Sequence, residues 1–201
     1  MKISNLRQTG EKVSFSIKGL DLQLANAFRR LIISGVPVMA IERITFYDNT
    51  SIMNDEIMAN RLGLIPLKTD LKTYRMISEC TCKGKGCGKC TAIITMDVKG
   101  PKTVYSTDLK STDPKVVPVY KTIPIVKLTE KQSIKFEAVA QLGIGKEHIK
   151  WQAGLASYEQ TDDDSFNFIV ESYGQLGVKE LVKTTFDTFE KQIEDLSSKL
   201  K

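Results

Sequence analysis

Residues 26–67 read NAFRRLIISGVPVMAIERITFYDNTSIMNDEIMANRLGLIPL, and a change of period inside them sets the architecture. With Leu24 just upstream, Ala27, Phe28, Leu31 and Ile32 complete the spacing i, i+3, i+4, i+7, i+8. Asp21 stands at a capping position, and Gly35 followed by Pro37 stops the run. The pattern predicts an amphipathic helix of about four turns. At about 100° per residue, Asn26, Arg29 and Arg30 lie on the face away from the apolar stripe. Two readings of that face stay open, solvated arginines and a docking surface. From Val38 the period shortens, so VMAIERITFY (38–47) predicts a strand. DNTSIMNDE then supplies a turn and a capped start for a short helix that ends near Gly63 and Pro66.

Upstream, VSFSI (13–17) alternates with Val13, Phe15 and Ile17 on one side, and Gly10 offers a turn, which predicts an N-terminal antiparallel hairpin. Downstream, TAIITMDV (91–98), SIKFEAVAQ (133–141) and SFNFIVE (165–171) alternate as strands. Pro101, Pro114, Pro118 and Pro124 break residues 99–130 into short strands and irregular connections. TDDDS (161–165) reads as a solvated loop. The last helix carries Val182, Phe186, Phe189, Ile193, Leu196 and Leu200 at spacings 4, 3, 4, 3, 4. That is a narrow heptad seam, the kind that packs along another helix, in its own domain or in a partner.

All four cysteines fall inside CTCKGKGCGKC, residues 80–90. Gly84, Gly86 and Gly88 supply the reversals that let Cys80, Cys82, Cys87 and Cys90 converge. Four thiolates form a closed tetrahedral shell for Zn²⁺, with no open position for substrate; an iron–sulfur cluster and metal-free redox cysteines are the alternatives. The pair C-x-C departs from the usual C-x-x-C knuckle. Lys83, Lys85 and Lys89 interleave with the ligands and would offset the charge of a metal–thiolate core.

The composition, 41% hydrophobic and 26% charged, is globular. The net charge of +5 is spread without long blocks, and the lysines near the cysteines have no interleaved aromatics for base stacking, so they read as a solvated basic surface. No apolar run reaches the roughly 18 residues of a membrane span, and MKISNLRQTG lacks a secretory h-region, which predicts a cytoplasmic protein. No nucleophile elbow, Walker loop or HExxH motif is present. His148 is the lone histidine, and GIGK (143–146) is too short for a phosphate loop. These absences leave little from which to build an independent enzyme.

Residues 26–67 closely resemble the signature of the archaeal RNA polymerase D-type assembly subunits, their homologue the third-largest subunit of eukaryotic RNA polymerase II and, more distantly, the N-terminal domain of the bacterial α subunit. GIGKEHIKW (143–151) is similar to a second motif of that family, and the cysteine cluster sits where eukaryotic members carry a zinc loop, with one residue's difference in the middle spacing. The resemblance implies an α+β fold with a discontinuous assembly (dimerisation) domain, residues 1–48 and 160–201, of antiparallel strands plus two helices. A mainly-β insert domain, residues 49–159, would carry the four-cysteine loop, with crossings near Asp48 and Gln160. It implies a non-catalytic scaffold that heterodimerises with the smaller RNA polymerase L subunit through the seam Phe186, Phe189, Ile193 and Leu196. It also implies docking of the large catalytic subunits and small assembly subunits on the helix bearing Phe28, Arg29 and Arg30 and on the turn bearing Lys150 and Trp151. DNA would be reached only through the complex, and no membrane is involved. Many archaeal relatives carry a ferredoxin-like insertion after the second motif; here no cysteine follows Cys90, so no iron–sulfur cluster is expected and one structural Zn²⁺ is. The reading from a different class is a stand-alone zinc-dependent nucleic-acid-binding protein.

Overall fold

The computed structural model describes residues 2–161 and 165–200. In chain order its elements are β1 (Lys2–Thr9), β2 (Lys12–Lys18), α1 (Leu22–Ser34), β3 (Val38–Asn49), α2 (Asp55–Gly63), β4 (Thr91–Lys99), β5 (Lys102–Tyr105), β6 (Lys110–Ser111), β7 (Pro124–Leu128), β8 (Ser133–Gly143), β9 (Gly154–Gln160), β10 (Ser165–Ser172) and α3 (Val178–Lys199), with three short 3₁₀ turns between them. Every sheet is antiparallel. The α+β class and the order of helices and strands follow the expectation. Of TDDDS, residues 162–164 lie outside the described residues. Among the described residues no helix is long and apolar enough to cross a membrane.

The chain forms two compact units. The first comprises residues 1–37, 144–148 and 152–201, and the second residues 38–143 and 149–151. In the first, the sheet order is β1-β2-β10-β9. β2 and β10 pair Val13 with Val170, Phe15 with Phe168 and Ile17 with Phe166, so the alternation of both strands delivers its apolar residues to one face. Helices α1 and α3 pack there. Phe15 stacks on Phe168 at 5.5 Å, Phe168 meets the edge of Phe28 at 5.6 Å, and Phe28 lies 4.4 Å from Phe186. This column of four rings ties the sheet through α1 to α3 by aromatic contacts that add to their area burial.

The face of α1 that is buried differs from the expected stripe. Ala25, Phe28 and Ile32 are buried, whereas Leu24 is 41% exposed and Ala27 and Leu31 are half-buried. The apolar arc of the helix is wider than the contact with β9 and α3 needs, so only one side of it enters the core. Asp21 occupies the N-cap position without a side-chain capping bond. At the other end the GIGK turn closes over the last carbonyls of α1: Lys146 N–H donates to Ser34 O at 2.9 Å, and a Cβ on Gly145 would meet Ile33 O at 2.6 Å. A turn that approaches a helix end this closely requires glycine. Residues 154–160, expected to run on into the next strand, form the edge strand β9.

The second unit is built on a sheet ordered β3-β8-β4-β6, with α2 against β3 and a two-stranded β5-β7 ribbon. Ala92, Ile94 and Met96 of β4 face Ala140, Ala138 and Phe136 of β8, and these join Met39, Ile41, Met58, Leu62 and Leu67 in one core. Asn54 caps α2 by accepting from Ile57 N–H at 3.3 Å, as the NDE signal predicts. Arg61 leaves the same helix to donate to the carbonyls of Ile125 and Pro124, fixing β7 beside it.

Candidate metal centre and docking faces

The cysteine loop runs from a 3₁₀ turn at Ile77–Glu79 to the first residue of β4. Lys83, Gly84 and Gly86 take left-handed backbone at φ +52°, +82° and +82°, which folds the leading pair of cysteines over the trailing pair. Lys83 N–H donates to Cys80 O and Lys85 N–H to Cys82 O, so the leading half of the loop is two overlapping turns. Cys90 N–H and Thr91 N–H both reach Cys87 O at 2.9 Å and anchor the trailing half to β4.

The four Sγ atoms all lie within 4.8 Å of one another. Cys80 and Cys87 are 3.6 Å apart, Cys82 and Cys90 3.6 Å, and Cys87 and Cys90 3.8 Å. A tetrahedron with metal–sulfur bonds of about 2.3 Å has edges of about 3.8 Å, so these separations fit one tetrahedral ion. They are far from the roughly 2.0 Å of a disulfide, and all four thiols are free. A polynuclear cluster, whose thiolates bind different irons, would spread them wider. Cys87 N–H also donates to Cys90 Sγ at 3.3 Å, a bond that favours the thiolate form of a ligand.

Within the thiol quartet the proton affinities are uneven. Burial pushes the Cys90 thiol up to about 12. At Cys82 burial is the strongest single influence and opposes ionisation, yet hydrogen bonds from Cys80 and Cys90 and from the backbone N–H groups of Gly86 and Gly84 together bring it to about 7. A divalent cation at the centre would ionise all four.

The approach to the loop is pinned from outside. Tyr74 is buried and its hydroxyl donates to Asp113 Oδ2 at 2.7 Å. Asp70 accepts from Lys115 Nζ at 2.6 Å and Thr73 Oγ1 at 2.8 Å, and Arg75 N–H donates to Lys89 O at 3.0 Å. The hydrogen bond from Lys115 holds the Asp70 carboxyl well below the usual carboxylate range, and the Tyr74 bond holds Asp113 below it. Sequence reasoning missed these residues. Their signal is a pairing between segments about 40 positions apart, which no local period reveals.

The expected contact residues occupy varied settings. Phe28 is buried between Phe168 and Phe186 of its own unit. Arg29 is half-buried and donates to Asn26 Oδ1 at 2.9 Å, while Arg30 is exposed beside a groove lined by Gln23, Ala27 and Leu31. In the second unit Trp151 is 5% exposed and donates from Nε1 to Gln141 O. Gly143 leaves the slot for it, since a Cβ there would meet Trp151 Cε2 at 2.3 Å. Lys150 pairs with Glu42 and lies 4.4 Å over the Trp151 ring.

The C-terminal seam divides. Val178, Leu181 and Thr185 are buried, and Phe186 and Phe189 are half-buried. Beyond them Ile193 is 54% and Leu196 60% exposed, in a helical stretch whose every residue from 190 onward is exposed. Phe186, Phe189 and Ile193 line a shallow groove rimmed by Asp187, Glu190 and Glu194.

A family model described as the RNA polymerase Rpb3/RpoA insert domain matches residues 44–162. DNA-directed RNA polymerase subunit Rpo3 of Methanosarcina mazei is 44% identical over 157 residues, covering 78% of this chain and 59% of that protein. The Rpo3 proteins of Methanosphaera stadtmanae (45% over 158 residues, 76% and 58% covered) and Pyrobaculum aerophilum (49% over 144 residues, 71% and 55% covered) are similar to it as well. The chain thus spans a little under three fifths of the length of these relatives. With well over half of its residues inside the matched region, the chain belongs to the RNA polymerase Rpb3/RpoA insert-domain family.

Proposed function

We propose that the chain is a non-catalytic, cytoplasmic subunit of a DNA-directed RNA polymerase that pairs with the smaller, α-like L subunit and so nucleates assembly of the transcribing enzyme. In this reading residues 1–48 and 160–201 form the assembly domain, and residues 49–159 form an insert domain that docks other subunits. Nucleotidyl transfer belongs to the large subunits. The observation that carries the pairing is the outer half of α3. Apolar residues recur there at heptad spacing, yet Ile193, Leu196 and Leu200 stay uncovered by their own chain. An apolar stripe of this kind on an otherwise charged helix gains most by burial against a second helix.

In the same reading Cys80, Cys82, Cys87 and Cys90 hold one Zn²⁺. A closed tetrathiolate shell contributes folding free energy to the loop and leaves no position for catalysis. The helix face bearing Arg29 and Arg30 and the turn bearing Lys150 and Trp151 are the docking surfaces in this reading. Phe28 and Trp151 act from beneath, by fixing that helix and that turn, and Lys150 is held in place by Glu42.

Co-expression with the L subunit followed by size-exclusion chromatography tests the pairing; the expected product is a stable one-to-one complex that forms without the other subunits. Recovery of this chain as a monomer beside folded L would overturn it. Metal analysis of protein purified without added metal is expected to find about one zinc and negligible iron per chain.

A further inference from the structure

We propose that the outer surface of residues 68–90 is a contact face for the phosphate backbone of duplex nucleic acid. Lys68, Lys72, Arg75, Lys83, Lys85 and Lys89 stand against Asp70 and Glu79 in this segment, which therefore holds four of the five net positive charges of the chain. All six cations are exposed, and none closes an ion pair among the described residues. The nearer acid, Asp70, is already committed to Lys115 and Thr73. The fold also gathers the cations. Convergence of the four thiols within 4.8 Å brings Lys83, Lys85 and Lys89 onto one short loop, and the Arg75 to Lys89 backbone bond sets the preceding segment beside it. A metal–tetrathiolate core carries a formal charge of −2, but Cys80 and Cys90 are buried while the lysines lie outside them, nearer to an approaching polyanion.

The character of the face selects the polyanion. Five of its six cations are lysines, point charges on flexible stems that suit diffuse phosphate contact and lack the bidentate geometry of base or carboxylate readout. Between Leu64 and Ile93 no large apolar side chain is exposed, and Tyr74 is buried with its hydroxyl engaged. The face therefore has no ring on which to stack a single-stranded base and no apolar anchor of the kind that dominates protein interfaces. What remains is attraction to a dense array of charge, and duplex DNA carries about one charge per 1.7 Å of axis. This departs from the expectation that DNA is met only through the complex, and it stands independently of the pairing with the L subunit.

The test uses the metal-loaded full chain and a fluorescent duplex of about 20 base pairs of arbitrary sequence, with anisotropy read from about 50 to about 200 mM salt. Binding is expected in the micromolar range at low salt, weakening with a log–log slope of about −0.9 for each phosphate neutralised. The triple variant K83Q/K85Q/K89Q should keep its metal and circular dichroism, bind at least about tenfold more weakly, and lose about two to three units of that slope. A control that removes three charges elsewhere, K179Q/K183Q/K191Q, should bind as the wild type does. Equal losses in both variants, or none in the first, would overturn the proposal. Tighter binding of poly-glutamate than of the duplex would overturn it too, and would assign the face to an acidic protein segment.

Discussion

The Tyr74 hydroxyl donates to the Asp113 carboxylate at 2.7 Å, joining the segment that leads into the cysteine loop to a segment on the far side of β4. Removing the hydroxyl takes from Asp113 the donor to Oδ2 and leaves the Lys115 N–H bond to Oδ1, and hydrogen bonds to charged groups contribute about 1.5–3 kcal/mol. Tyr74→Phe is therefore expected to loosen the loop approach without touching a ligand. The measurement is the rate of metal transfer to an excess of chelator, which should rise several-fold. A release rate equal to the wild type's would show that the clamp does not restrain the loop.

The same clamp sets a pH window. Asp70 is held below the usual carboxylate range by the Lys115 hydrogen bond and then by Thr73, and Asp113 by Tyr74. For a depressed carboxyl the stabilisation is present above the unfolded value, about pH 4, and is lost as pH falls through the folded one. Tyr74 behaves oppositely: burial first, then its bond to Asp113, raises it. Its contribution is present below about pH 10 and declines as pH rises beyond that. Lys115→Met should let Asp70 return toward its ordinary value and so flatten the acid limb of the stability profile. The comparison is a series of denaturant midpoints from about pH 5 to about pH 2 for both proteins, and parallel limbs would remove Asp70 as the cause.

At the outer seam, Ile193→Asp should be nearly silent alone and severe in company. Ile193 is more than half exposed, so the isolated chain should lose under about 0.5 kcal/mol, the usual range for surface sites. In a complex with the L subunit the charge would be buried without a partner, and affinity should fall by about a hundredfold or more on the scale of interface hot spots. Phe189→Asp, at a half-buried position, should cost the isolated chain more as well as weakening the pairing. Undiminished binding of folded Ile193→Asp protein to L would place the interface elsewhere.

Gly143→Ala probes the slot under Trp151. The added methyl would sit 2.3 Å from Cε2 and 2.4 Å from Cδ2 of the ring, so the indole or the strand must move. Overpacking of this kind costs about 1–3 kcal/mol and here should also release the Nε1 bond to Gln141. A blue-to-red shift in the emission of the single tryptophan, with a lower melting temperature, is the expected readout. An unchanged spectrum would show that the slot adapts.

These elements differ in how far local sequence could announce them. The cysteine quartet was legible because its thiols and reversals lie inside eleven consecutive residues, where spacing favours convergence. Strand β9 was not, because its pattern is inverted: Leu155 points outward and the small Ala156 inward, so hydrophobicity does not mark its buried side. For α1 the apolar arc was visible, but which part of it enters the core depends on β9 and α3, at the other end of the chain. Trp151 beside Lys150 reads as a surface pair until Gly143, remote by eight positions, is seen to make room for the ring. Lys68, Lys72 and Arg75 likewise gain significance only when Arg75 and Lys89 become backbone neighbours.

The pairing of Val38 with Gly143 has a consequence for the economy of the whole chain. These residues are the first and nearly the last of the second unit, and they face each other across the β3–β8 ladder. The polypeptide between them is in effect a bag drawn shut at its neck: its two ends emerge side by side. The remainder of the protein therefore bears almost no loop-closure entropy for the hundred or so intervening residues, since that cost is met inside the ladder. An engineer could replace residues 39–142 with a short turn and ask whether residues 1–37 still find β10.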